Sequence, residues 1–85
     1  MSQMDQIISI QISFLPLDDL QINLSVNKVL EMIKKSGLRY RVGLLSTEVT
    51  GNKDSVMRLI NEIVDYSFEN AKFVIDVKIS NVCGK

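Results

Sequence analysis

The chemistry open to this chain is set first by what it lacks. Its 85 residues include no histidine and one cysteine, Cys83, so the commonest general base and the commonest metal ligand are missing together. Acid–base or nucleophilic catalysis would have to rest on carboxylates, lysine or tyrosine, and no pair of these falls at a recognisable catalytic spacing. A metal site is not expected, and Cys83 has no partner for an internal disulfide, which fits a reducing compartment. What remains is binding. The side chains best suited to touch a ligand are concentrated in residues 36–51, SGLRYRVGLLSTEVTG. Outside that segment Gln11 stands out as an amide in mid-strand, and it reads equally as a ligand or interface contact and as a plainly exposed group.

Composition narrows the class. Hydrophobic residues make up 46% and charged residues 24% of the chain, the balance of a globular protein with apolar runs far too short for a membrane span. One domain covering residues 1–85 is expected, with a core small enough that oligomerisation would help it. Ten basic and ten acidic residues cancel, so no net field draws the chain to nucleic acid or to an anionic membrane. The start, Met1-Ser2-Gln3-Met4-Asp5-Gln6, has neither the basic head nor the apolar block of a signal peptide. Cytoplasmic residence follows as the default, and residues 1–6 and 81–85 are expected to be flexible.

The elements that position the candidate residues follow from periodicity. Ile8, Ile10, Ile12 and Phe14 alternate with Ser9, Gln11 and Ser13 up to Pro16, a strand with one apolar and one uncharged polar side. After the Asp18-Asp19 loop, Ile22, Val26, Val29, Leu30 and Ile33 recur at helical spacing. This predicts a helix over 24–35, with Asn23 as N-cap and Lys34-Lys35 favourable at the C-terminal end of the dipole. Ser36-Gly37 ends it as a left-handed cap would. Leu38, Tyr40, Val42 and Leu44 then alternate with Arg39, Arg41, Gly43 and Leu45, a second strand, and residues 46–50 form a third that closes on the turn pair Gly51-Asn52. Asn52 caps a second helix with Val56, Leu59, Ile60, Ile63, Val64 and Ser67 inward and Asn70 as a left-handed stop. In the last strand Phe73, Ile75, Val77 and Ile79 face in, and Val74, Asp76, Lys78 and Ser80 face out.

The order β-α-β-β-α-β makes two split β-α-β units, an α+β fold. Right-handed crossovers turn these into a four-stranded antiparallel sheet of order 4-1-3-2 with both helices on one face, the ferredoxin-like arrangement. Its second face is then uncovered and carries Ser9, Gln11, Ser13, Asp76, Lys78 and Ser80, with Arg39 and Arg41 from strand two. Such a mixture is either solvated or paired with a copy of itself. RNA-recognition domains of this topology stack bases on aromatic side chains of the central strands. Here those positions hold serine, glutamine, threonine and glutamate. The paired cysteines of copper chaperones and the arginine loop of acylphosphatases are both replaced by Leu15-Pro16-Leu17-Asp18-Asp19. Amino-acid-sensing regulatory domains stay open, because their sites are mostly backbone.

One resemblance covers about residues 8–80. It rests on a strand-end proline, a helix, Ser36-Gly37-Leu38-x-Tyr40, Gly43-x-x-x-Thr47-x-x-x-Gly51, a helix with an acidic start, and Val77-Lys78-Ile79. This pattern resembles the small thiamine-binding protein family, the YkoF-like domains. The resemblance implies a ferredoxin-like domain that forms a homo-dimer, often a dimer of dimers, and binds thiamine or its hydroxymethyl-pyrimidine part without transforming it and without a cofactor. An aminopyrimidine needs hydroxyl, amide or carboxylate partners, for which Gln11, Ser46, Thr47 and Thr50 are available. A thiazolium cation favours an aromatic face or a carboxylate, for which Tyr40, Glu48 and Asp76 are available, and Lys78 matches a family position. The bland readings are core packing for Thr47 and Tyr40, backbone geometry for Gly43 and Gly51, and a solvated strand edge for Lys78. The chain departs from the pattern at Thr50, Ser80 and Val82, where family members commonly carry charge. The alternative function is a regulatory or assembly module that binds a partner protein through the open sheet face.

Overall fold

A computed structural model describes residues 6–17, 22–70 and 72–82. The elements run β1 (Ile7–Pro16), α1 (Ile22–Lys35), β2 (Arg39–Val42), β3 (Thr47–Asn52), α2 (Lys53–Asn70) and β4 (Phe73–Ser80). The strands form one antiparallel sheet in the order β2-β3-β1-β4, which is the predicted 4-1-3-2 read from the other edge. Alternation on β1 sends Ile8, Ile10 and Ile12 into the core, where they meet Val49 of β3, Val29 and Ile33 of α1, and Val56, Leu59 and Ile63 of α2. Both helices therefore lie on that side of the sheet, as the single apolar face requires.

Several boundaries differ from the sequence reading, each for a physical reason. α1 begins at Ile22, ahead of the predicted start at residue 24, so the backbone at Asn23 is already helical. At the other end Gly37 has φ of 79°, and Ser36 N donates to Met32 O at 3.1 Å, the left-handed stop that the Ser-Gly pair predicts. β2 is only four residues long, because Gly43 N donates to Ser46 O at 2.8 Å and closes a tip where a longer strand was expected. Gly51 and Asn52 are not a turn but the end of β3, opposite Ile8 and Ile7. A Cβ at Gly51 would lie 2.7 Å from Leu38 Cδ2, so the end of that side chain packs directly over the glycine.

Asn52 also caps α2, its Oδ1 accepting from Asp54 N at 2.9 Å. Asn70 is still helical and no non-glycine residue has positive φ among the described residues. Its side chain instead donates to Tyr66 O at 2.8 Å, which satisfies a terminal carbonyl without a left-handed residue. Ile79 faces the helix side as expected, opposite Ile10, yet it stays 54% exposed, because β4 is an outer strand. Gln6, expected to be loose, accepts a 2.8 Å backbone hydrogen bond from Lys53. Residues 1–5, Asp18-Asp19 and Cys83 lie outside the described residues.

Candidate functional site

Strand register fixes which candidates share a face. On the open side of the sheet, directly opposed residues form rows across the strands. Arg39, Thr50, Ser9 and Ser80 make one row, and Arg41, Glu48, Gln11 and Lys78 the next. Ser13 and Asp76 follow, then Leu15 and Val74. The open face is thus polar in the middle and apolar at one end. Within it Ser9 and Thr50 share a hydroxyl–hydroxyl bond of 2.8 Å, and Arg41 Nη2 reaches both oxygens of Glu48 at 3.3 Å. That ion pair is solvent-exposed and worth little to stability.

Thr47 and Tyr40 belong to the other side. Thr47 stands opposite Ile12 and Val42 and is 8% exposed. Tyr40 stands opposite Val49 yet remains 39% exposed, because β2 is an outer strand. The core position expected for it is therefore not what it occupies.

Two neighbouring depressions take up most of the candidates. The first is a cleft of about 180 Å³ between α1 and the β2–β3 tip. Val26, Val29, Leu30 and Ile33 form one wall, Ile12 and Phe14 the floor, and Ser13, Ser46 and Thr47 the polar rim, with Leu44 and Leu45 at the mouth. Ser13 Oγ donates to Leu45 O at 3.1 Å and ties this tip to β1. Neither Ser46 nor Thr47 makes a side-chain hydrogen bond to another described residue. In an apolar cleft such hydroxyls are free to donate to and accept from a ring. The second depression lies on the open face, shares Ser13, Leu45 and Ser46 with the first, and adds Gln11, Asp76 and Lys78.

The remaining candidates are spread wider. Glu48 and Thr50 line a further open-face hollow with Gln11 and Lys78, and Tyr40 lines a shallow one with Arg39 and Arg41. The eight residues therefore do not converge on one point: Ser46 and Thr47 share the cleft, Tyr40 stands apart, and the other five lie on the open face. The cleft walls Val26 and Leu30 and the tip residues Leu44 and Leu45 are not among the candidates that residue type marks in the sequence. The signal for the tip was present, since two consecutive leucines occupy a turn that normally carries polar residues. Among the described residues no group of acidic or cysteine side chains could hold a metal ion, and no helix is long and apolar enough to cross a membrane.

An open-faced α+β sandwich with a small apolar cleft rimmed by hydroxyls defines a ferredoxin-like binding domain. The chain belongs to the thiamine-binding protein family, which it matches over residues 10–85. Among solved structures it is similar to a candidate thiamine biosynthesis/salvage protein from Thermotoga maritima, at 25% identity and a TM-score of 0.77, covering 87% of this chain and 82% of that one. A protein from Streptococcus pneumoniae is 21% identical with a TM-score of 0.81, covering 93% and 88%. A domain of unknown function from Bacillus cereus is 22% identical with a TM-score of 0.78, covering 88% and 75%. The last two show the fold alone. No protein of curated function matches.

Proposed function

We propose that this protein binds thiamine, or its hydroxymethyl-pyrimidine half, without transforming it, as a cytoplasmic homo-oligomer. Family membership supports the ligand class, and the absence of histidine from the sequence supports binding over catalysis. The observation that carries the reading is the pair of hydroxyls, Ser46 and Thr47, that have no side-chain hydrogen bond among the described residues and line an otherwise apolar cleft. A flat aminopyrimidine can bury its faces against Val26, Leu30 and Phe14. Its amino group and ring nitrogens then meet hydroxyls that both donate and accept. The cationic ring of thiamine stays at the mouth, in water, where no charge has to be desolvated.

The homo-oligomer is supported by the number of large apolar side chains left exposed on so short a chain, Leu44, Leu45 and Phe68 among them. Calorimetric titration with thiamine and separately with hydroxymethyl-pyrimidine tests the ligand. Binding of both, with the pyrimidine supplying most of the affinity, is the expected result. No heat and no thermal shift at millimolar concentrations of either would dismiss the reading. Light scattering at tens of micromolar protein tests the assembly, and a monomer there would count against it.

A further inference from the structure

β4 is an outer strand with few of the features that keep an edge solitary. It runs eight residues without proline and pairs with β1 in unbroken register from Ser80 to Phe73, so no bulge bends it away. Its other edge has no strand partner among the described residues. Ile79 and Val74 are 54% and 46% exposed. Asp76 and Lys78, of opposite sign and on the same face, are exposed, and neither belongs to an ion pair among the described residues.

We infer that the free edge of β4 pairs antiparallel with β4 of a second copy across a two-fold axis at Val77, joining two four-stranded sheets into one. This rests on the homo-oligomer reading above and names the surface that would form it. In a continuous sheet, directly opposed side chains must lie on the same face, so the axis has to pass through a residue rather than between two. At Val77 it sets Lys78 against the partner's Asp76 and Asp76 against the partner's Lys78. On the helix side it covers Ile79 with the partner's Ile75. Moving the axis one residue either way sets Asp76 against itself or Lys78 against itself. Moving it to Ile75 or Ile79 leaves both charges without an opposite. The other outer strand cannot substitute. β2 has four residues, and an axis at Tyr40 opposes Arg39 to the partner's Arg41, while an axis at either arginine opposes it to itself. One edge therefore attracts its copy and the other repels it.

Sedimentation equilibrium on the full chain tests this with Asp76→Lys, Lys78→Asp and the double exchange. Each single change converts two attractive cross-strand pairs into two repulsive ones, and self-association should weaken on the order of tenfold or more. The double exchange should restore it. An equimolar mixture of the two single variants should form mixed dimers, because one chain then presents only lysines and the other only aspartates. Circular dichroism and recovery in the mixture separate this from misfolding. A dimeric wild type whose association ignores all three changes would overturn this interface and leave the homo-oligomer reading standing. A monomeric wild type would overturn both.

Discussion

Replacing Thr47 by valine separates the two roles that a threonine in a strand can have. The residue is 8% exposed and packs opposite Ile12 and Val42, and its hydroxyl makes no hydrogen bond to another described residue. Valine keeps the branched shape and the strand preference. No protein partner is left unsatisfied by the change, so folding stability should stay level or rise by up to about 1 kcal/mol, as when an unpaired polar group leaves an apolar site. If the hydroxyl serves a bound pyrimidine, one neutral hydrogen bond is lost, about 1–1.5 kcal/mol, or roughly a tenfold weaker Kd. Stability and affinity should therefore move independently. Urea unfolding by circular dichroism reads the first and calorimetry with thiamine the second. A destabilisation above 1 kcal/mol would show that the hydroxyl holds the fold together, and unchanged thiamine affinity would remove Thr47 from the site.

Other expected outcomes concern the elements that hold the cleft in place. Gly37→Ala should cost about 1–2 kcal/mol in urea unfolding, because φ of 79° is unfavourable for any side chain while the surrounding space is open. Gly51→Ala should cost no more than about 1 kcal/mol in urea unfolding, because the atom 2.7 Å from its Cβ is the movable end of the Leu38 side chain, and combining it with Leu38→Ala should cost less than the sum of the two single changes in a double-mutant cycle. Asn52→Ala should remove the α2 cap at about 1 kcal/mol, read as a lower unfolding midpoint. Glu48→Gln should change stability by less than about 1 kcal/mol, since its ion pair with Arg41 is exposed.

The topology was legible because one apolar stripe per element leaves little choice. Strict alternation in β1 and 3.6-residue spacing in α2 place Ile8, Ile10, Val56, Leu59 and Ile63 together before any coordinates are known. Caps were legible where the chemistry is local, as at Ser36-Gly37 and Asn52. They were misread where competing side chains do the same work, as at Asn70, whose amide replaces a left-handed turn. The extent of β2 was not legible, because the apolar alternation continues through Leu44 while the backbone turns at Gly43. The candidate site was legible only in part. Residue type marks Thr47 and Gln11 equally, but only strand parity and the position of α1 show that one lines the cleft beside α1 and the other the open sheet. The cleft walls carried no polar signal, so Val26 and Leu30 read as ordinary core.

The most direct test of the account is methyl and amide NMR of the labelled protein during titration with thiamine. Shifts that saturate together and cluster at Val26, Leu30, Val42, Ser46 and Thr47 are expected, with those of Lys78 and Ser80 unmoved. No shifts at millimolar thiamine, or shifts confined to the open sheet face, would contradict it.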